Sequence, residues 1–220
     1  MPRKAVVLGG TGLVGSHLIL ELCRSDSFDE IVSLTRREIN YDADKVVNKV
    51  IDFSNLQSSK ELFDGDCFFS CLGTTRKDAG SIQAQRKVDY DYQYQAAKFA
   101  RQNEVDHYML VSSSGARDSS PSSYLKMKGE LETEVSRLGF KKTTFIQPSL
   151  LLGDRSDQVG GKRFAESLGA VVFPVLCKLP SLRRYQPIHA QEVAKRMVIE
   201  SDRETYGLKV LSLSDVFTSA

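Results

Sequence analysis

The stretch Ala5-Val-Val-Leu-Gly-Gly-Thr-Gly-Leu-Val-Gly15 decides the fold, because an apolar run passes directly into a cluster of glycines. Gly10, Gly12 and Gly15 satisfy G-x-G-x-x-G, and Gly9, Gly12 and Gly15 satisfy the looser G-x-x-G-x-x-G. A buried strand that ends in such a turn and opens a helix binds phosphate groups, since glycines let the backbone turn sharply and approach an anion closely. The stretch therefore predicts a dinucleotide site, with contacts from Gly9, Thr11, Gly12, Leu13, Val14 and Gly15.

The second predicted strand indicates which dinucleotide is bound. The run Glu30–Thr35 lies about twenty residues beyond the glycines, and Arg36 and Arg37 follow it. NAD-binding units usually carry an acidic residue here for the ribose 2′-hydroxyl, whereas arginine accommodates the 2′-phosphate of NADP. Glu38 comes only after the two arginines, whose guanidinium groups suit phosphate by charge and by bidentate geometry. We therefore expect NADP(H) as the cofactor.

Strand and helix signals alternate along most of the chain, as they do in proteins with a parallel sheet. Predicted strands cover 5–9, 30–35, 46–53, 66–72, 107–113 and 143–147, and predicted helices cover 13–24, 82–103, 124–138, 161–170 and 190–200. This order predicts an α/β fold, a doubly wound parallel sheet of the Rossmann type. Beyond about residue 150 the alternation weakens. We expect residues 1–220 to form a single NAD(P)-binding domain with a small C-terminal substrate cap, mainly within 153–187.

Composition limits the kinds of partner and compartment. The 30 basic and 28 acidic residues nearly balance, so there is no electrostatic case for nucleic acid or a polybasic membrane surface. Cys23, Cys67, Cys71 and Cys177 show no zinc-ligand spacing, which favours reduced thiols and no metal. Met1–Lys4 leads directly into the first strand, and no apolar run approaches the roughly eighteen residues of a membrane span. The sequence predicts a cytoplasmic protein.

A candidate catalytic pair lies at Tyr124 and Lys128. Residues four apart on a helix share a face, so both side chains can reach one cofactor. An ammonium beside a phenol favours the phenolate, which helps a tyrosine to exchange a proton near neutral pH. Such a tyrosine can donate its proton to a carbonyl oxygen as a hydride arrives at the carbon. The pair predicts a hydride-transfer site.

The Tyr-x-x-x-Lys spacing also occurs twice elsewhere, and position separates the three pairs. Tyr41 and Lys45 lie in a polar loop beyond the second strand, while Tyr94 and Lys98 lie within the long helix before the fifth. Ordinary surface roles are expected for both of these pairs. Tyr124 is the one that follows a strand ending in serines.

Three consecutive serines, Ser112 to Ser114, supply the expected substrate-binding hydroxyl. They precede Tyr124 by ten to twelve residues. Because side chains alternate between the two faces of a strand, the register of the catalytic hydroxyl stays open. Ser112, Ser113 and Ser114 are all candidates on this evidence.

Together these features resemble the short-chain dehydrogenase/reductase superfamily, of the compact atypical or extended kind with a G-x-x-G-x-x-G loop. Five segments are more closely similar to its Tat-interacting-protein/oxidoreductase branch and the bacterial relatives of that branch: Leu8–Gly12, Thr35–Arg37, Cys71–Lys77, Val88–Tyr92 and Tyr124–Glu130. The resemblance covers roughly residues 4 to 155 and is weaker beyond them.

The resemblance implies further cofactor contacts at the ends of other predicted strands. Asp52 and Phe53, after the third strand, would flank the adenine. The same likeness implies ribose and pyrophosphate contacts at Leu72, Gly73 and Thr74, and nicotinamide contacts at Pro148, Leu150 and Leu151. Tyr124 and Lys128 would touch the cofactor as well as the substrate. The resemblance also makes Ser113 the first choice for the catalytic hydroxyl, Ser112 its main competitor and Ser114 the least favoured.

The function implied is that of an NADPH-dependent oxidoreductase that reduces a small carbonyl substrate, as a monomer or homodimer. One alternative is an NADP(H)-binding redox-sensing regulatory protein with little or no turnover. Another is an extended-type enzyme acting on a nucleotide sugar. The third reading is less favoured, because only about 70 residues follow the last predicted strand of the core, a small cap for such a substrate.

Overall fold

The centre of the protein is a parallel sheet, seen in a computed structural model that describes residues 2–153, 186–202, 204 and 206–217. The described strands are β1 (Lys4–Leu8), β2 (Glu30–Thr35), β3 (Val46–Val50), β4 (Cys67–Ser70), β5 (His107–Val111), β6 (Lys142–Gln147), β7 (Leu151–Leu152), β8 (Ile188–His189) and β9 (Gly207–Ser212). Seven of them form one sheet in the order β3-β2-β1-β4-β5-β6-β9, with every neighbouring pair parallel. A short parallel ladder joins β7 to β8. The predicted doubly wound sheet is confirmed.

Helices cover both faces of this sheet. They are α1 (Leu13–Arg24), α2 (Arg76–Ala79), α3 (Ile82–Arg86), α4 (Tyr92–Gln102), α5 (Ser123–Ser136) and α6 (Ala190–Ser201). A π-helical turn over Lys87–Asp91 joins α3 to α4, and 3₁₀ turns cover Leu56–Phe63 and Leu213–Val216. Helices α1 and α6 pack together on one face, while α4 and α5 lie on the other.

Two apolar layers hold the helices to the sheet. On one face, Leu18 of α1 and Met197 of α6 belong to the same buried cluster as Val7 of β1. On the other, Leu131 of α5 packs in a cluster with Phe68 of β4. Strands buried on both faces need apolar residues at nearly every position, which explains why the unbroken apolar runs predict the sheet correctly.

Several predicted strands are too long at their carboxyl ends. The chain leaves the ladder early there and its backbone groups bind other loops; the Ser114 N–H, for example, donates to the Pro148 carbonyl at 2.9 Å. After β3, a carboxylate oxygen of Asp52 accepts from the backbone N–H and the hydroxyl of Ser54, which turns the chain. The predicted helix 82–103 exists, but the π turn interrupts it.

Strand β9 is not predicted by the alternation. It pairs with β6 at the edge of the sheet, with Leu208 and Val210 exposed. The predicted helix 161–170 and nearly all of the predicted substrate cap lie within 154–185, outside the described residues.

Candidate cofactor site and active site

A crevice lies at the carboxyl edge of the sheet, between the loops that follow β1 and β4. The order of connections reverses between these neighbouring strands, which is where open α/β sheets bind their ligands. The two loops touch, because a Cβ atom added to Gly9 would lie 2.7 Å from backbone atoms of Cys71 and Leu72. Gly9 also has a φ of 87°, which disfavours any other residue. Glycine is therefore required at the base of this crevice.

The N-terminus of α1 opens into the same crevice. The Gly12 N–H donates to the Gly9 carbonyl at 2.9 Å, and α1 begins at the next residue. Because the N-cap is glycine, it has no side chain to accept from the first N–H groups, and the first turn contains no acidic residue. This turn fits a pyrophosphate group. All the predicted loop contacts lie in it or in the first turn of α1: Gly9, Thr11, Gly12, Leu13, Val14 and Gly15.

Two exposed arginines follow the neighbouring strand β2. The Thr35 hydroxyl donates to the Arg37 carbonyl at 2.7 Å, and the Asn48 amide donates to Thr35 Oγ1 at 2.8 Å. These bonds hold the backbone at the end of β2, while the side chains of Arg36 and Arg37 are exposed. Glu38 is exposed beyond them. The end of β2 therefore presents two cations beside the glycine turn.

The residues implied by the family resemblance lie at the same edge of the sheet, after β3, β4 and β6. Asp52 is exposed, and its hydrogen bonds from Ser54 lower the pKa of its carboxyl. Phe53 is half-buried and packs on Tyr92, with 5.2 Å between ring centroids. Beyond β4, the Thr74 N–H donates to a carboxylate oxygen of Asp89 at 2.9 Å. The remaining implied contacts are Leu72, Gly73, Pro148, Leu150 and Leu151, which lie in the loops after β4 and β6 or in β7.

Tyr124 and Lys128 have different surroundings on α5. Ser122 caps this helix by accepting from the Leu125 N–H, so Tyr124 lies in the first turn, where it is 36% exposed. Lys128, one turn later, is only 3% exposed, and its Nζ lies 3.1 Å from Oδ1 of Asp89. The pair thus consists of an accessible phenol and a buried ammonium.

The serines after β5 are not equivalent. Ser112 is 5% exposed and lies beside Glu132 of α5, although its hydroxyl is not aligned for a hydrogen bond of ordinary geometry. Burial raises the pKa of the Glu132 carboxyl, opposed by Ser112, by Gln147 and by the charge of Lys128. Ser113 and Ser114 are half-buried. Ser112 therefore faces the helix layer, and the next two residues are more accessible.

The two other Tyr-x-x-x-Lys pairs have evident packing contacts. The Tyr41 hydroxyl lies 2.8 Å from Ser33 Oγ, and Lys45 Nζ donates to the Ser25 carbonyl at the end of α1. On α4, Lys98 Nζ lies 5.1 Å from the ring centroid of Tyr94. Each contact accounts for its side chains without a ligand.

Sequence reasoning missed a line of buried polar residues on the long helix before β5. Gln85, Asp89 and Gln93 follow one another at four-residue spacing, and all are buried. Asp89 binds Lys128 and Thr74, and Gln85 Nε2 donates to the Thr74 carbonyl at 3.1 Å. The signal in the sequence was the four-residue spacing of these polar side chains on a helix whose other buried residues are alanines and Phe99.

Solved structures define the class of the fold. The Bordetella bronchiseptica enzyme WbmF, in complex with NAD+, is similar with a TM-score of 0.71 and 14% identity, over 97% of this chain and 76% of that one. MoeE5, in complex with UDP-glucuronic acid and NAD, has a TM-score of 0.70 and 16% identity, over 96% and 76% of the two chains. These likenesses show the fold, a doubly wound parallel sheet of the Rossmann type that this chain shares with those two NAD-bound proteins.

Sequence relatives define the family, although no protein-family model matches the chain. Protein FMP52, mitochondrial, of Candida glabrata is 40% identical over 161 residues, which are 72% of this chain and 68% of that protein. The protein of the same name from Meyerozyma guilliermondii is 36% identical over 197 residues, 89% and 84% of the two chains. This chain belongs to the FMP52 family.

The prediction of a cytoplasmic location is wrong, because these relatives are named as mitochondrial proteins. The lack of a secretory signal or a membrane-spanning run and the redox state of the thiols do not bear on import into mitochondria. In the described part of the chain, no helix is long and apolar enough to cross a membrane.

Proposed function

We propose that this protein is an NADP(H)-dependent oxidoreductase that reduces a small carbonyl compound. The observation that carries the proposal is a continuous set of contacts across the crevice. The glycine turn lies against Leu72, Thr74 of the same loop binds Asp89, and Asp89 binds Lys128. A phosphate-binding turn and a buried ammonium are thereby linked through one loop at the crevice, which is where doubly wound sheets bind dinucleotides.

The arginines after β2 support NADP(H) as the cofactor. The Arg36 and Arg37 side chains are exposed beside the strand that carries the glycine turn. Guanidinium groups bind phosphate in a bidentate manner, and a 2′-phosphate is what separates NADP from NAD. The neighbouring Glu38 follows both arginines.

The proposed chemistry divides between the cofactor and three side chains. The glycine turn, Arg36 and Arg37 would hold NADPH, which when bound would be the source of the hydride for the carbonyl carbon. Tyr124 gives its hydroxyl proton to the carbonyl oxygen, so that the product is an alcohol and the phenolate remains to be reprotonated from solvent. Lys128 binds the ribose and favours the phenolate by its charge. We assign the orienting hydroxyl to Ser113 rather than Ser112, because Ser112 is buried against Glu132.

The comparisons also support a mitochondrial place of action, since the relatives carry that designation. Cell fractionation followed by protease protection tests the mitochondrial location. Recovery of the protein wholly in the cytosol would overturn the mitochondrial assignment. The similarity of five motifs to the Tat-interacting-protein branch separately supports a position near that branch within the superfamily.

Cofactor titration combined with a carbonyl panel tests the proposed function. NADPH binding is followed by the change in cofactor fluorescence, and turnover by NADPH oxidation with aldehydes and ketones of increasing size. We expect binding together with substrate-dependent oxidation. Tight NADPH binding without hydride transfer to any carbonyl would instead support the redox-sensing alternative, and absence of binding would reject both.

A further inference from the structure

A buried carboxylate that the proposed reaction does not use lies beside Lys128. Asp89 Oδ1 and Lys128 Nζ are 3.1 Å apart, and their side chains are 2% and 3% exposed. A buried charge left without a partner is strongly destabilising, so each of these groups depends on the other. No solvent screens this pair, which distinguishes it from the exposed ion pairs on the protein surface.

The second oxygen of Asp89 binds the cofactor loop. Asp89 Oδ2 accepts from the Thr74 N–H at 2.9 Å, and a Cβ atom on Gly73 would lie 3.4 Å from Oδ1. The loop after β4 therefore rests on the same carboxylate that holds the lysine. One side chain sets the relative position of both.

The backbone of Asp89 is itself held in place. The Gln93 amide donates to the Asp89 carbonyl at 2.9 Å, and the Ser70 hydroxyl donates to Gln93 Oε1 at 2.8 Å. Asp89 lies in the π-helical turn Lys87–Asp91, a local widening of the helix that often occurs at functional sites. Strand β4, the π turn and α5 thus converge on Asp89.

We infer that Asp89 is a positioning residue, which holds the ammonium of Lys128 and the loop at Thr74 in their cofactor-binding arrangement. This inference rests on the proposed function, in which Lys128 binds the ribose. Asparagine cannot reproduce both contacts, because the Thr74 N–H and the Lys128 ammonium bind different oxygens of Asp89, and in asparagine one of these positions is a donor NH2 group. The carboxylate is required for its two acceptors as well as for its charge.

A double-mutant cycle on NADPH affinity tests the inference. Asp89→Asn should weaken NADPH binding roughly tenfold in protein that remains folded, because the buried ammonium loses its anchor. In a Lys128→Met background, Asp89→Asn should change affinity by less than about twofold, because there is no ammonium left to position. If Asp89→Asn alone folds poorly, the comparison of Lys128→Met with the double variant, which lacks both buried charges, still tests whether Asp89 affects affinity in the absence of the lysine.

Glu200→Gln is the matched control. Glu200 is also a buried carboxylate, 1% exposed, and it binds Arg196 and Lys209 away from the crevice. Glu200→Gln should lower the melting temperature while leaving NADPH affinity unchanged. Unchanged NADPH affinity in Asp89→Asn, or equal effects of Asp89→Asn with and without Lys128, would overturn the inference.

Acylation of Lys128 with an amine-reactive ester, followed by mass spectrometry, separates this inference from the proposed function. It needs no cofactor. Asp89→Asn should make Lys128 react several-fold faster, and Glu200→Gln should not. Unaltered reactivity in Asp89→Asn would overturn the positioning role. A wild-type protein that binds neither NADPH nor NADH would reject the proposed function, and the acylation rates would then decide whether Asp89 positions the lysine.

Discussion

A Cβ atom on Gly15 would lie 2.1 Å from the carbonyl oxygen of Gly9, so helix α1 and the turn after β1 pack with no room for a side chain. The same Gly9 carbonyl accepts from the Gly12 N–H, which closes the turn. Gly15, the third glycine of the motif, is thus needed for helix α1 to pack closely against the turn after β1. Its role can be separated experimentally from phosphate binding.

We expect Gly15→Ala to lower the free energy of unfolding by about 3 kcal/mol, because backbone atoms on both sides must move to admit the methyl group. Urea unfolding measures this loss. Gly73→Ala is the control, since its Cβ would have no contact closer than 3.4 Å. Equal stability of the two variants would contradict the packing role of Gly15.

The second prediction concerns cofactor preference. NADPH should bind about tenfold or more tightly than NADH, a difference of about 1.4 kcal/mol, because Arg36 and Arg37 can bind the 2′-phosphate. Replacing both arginines by alanine should remove the preference while leaving NADH affinity nearly unchanged. Arg24→Ala, at the opposite end of α1, should retain it. The claim fails if the wild-type protein binds both cofactors equally.

The third prediction compares two tyrosines. Tyr124→Phe keeps the ring and should keep NADPH affinity, but it should lower turnover by about a hundredfold or more, because the proton donor is lost. Tyr94→Phe should match the wild type in both assays, since that ring packs on Tyr90 and Lys98. Initial rates on a verified carbonyl substrate provide the measurement. Comparable rates for the two variants would reject Tyr124 as the proton donor.

The sheet could be predicted from the sequence because its interior strands are buried on both faces. Cys67–Ser70 and His107–Val111 are buried at every position, and such unbroken runs are typical of the interior strands of a parallel sheet. The glycine turn is equally local, since its geometry follows from residues within one short stretch. Features that depend on residues close together in the sequence could therefore be predicted.

Features formed by residues far apart in the sequence could not be predicted. Asp89 lies in the segment Val88–Tyr92 that carries the family resemblance, but neither its residue type nor its neighbours in sequence indicate an ion pair with Lys128. Strand β9 was missed because it pairs with β6 from the far end of the chain and exposes Leu208 and Val210 at the edge. Burial, which decides the chemistry of Asp89, is a property of the assembled fold.

The final prediction concerns acid stability and rests on His107, at the start of β5. Burial, with added repulsion from Lys142 and Arg3, lowers the pKa of His107 from 6.5 to about 4. Between these values the unfolded chain binds a proton that the folded protein excludes, so stability rises with pH across the window and is lost as pH falls through it. The gap corresponds to about 3 kcal/mol at most.

His107→Gln removes this titration while its amide can still bond to Thr144 Oγ1, which lies 2.9 Å from His107 Nε2 in the wild type. Urea unfolding of both proteins at intervals from pH 8 to pH 4 gives the measurement. Below pH 6.5 the wild type should lose stability faster than the variant, and above it the difference between them should be constant. Parallel curves over the whole range would show that His107 does not contribute to the acid sensitivity of the fold.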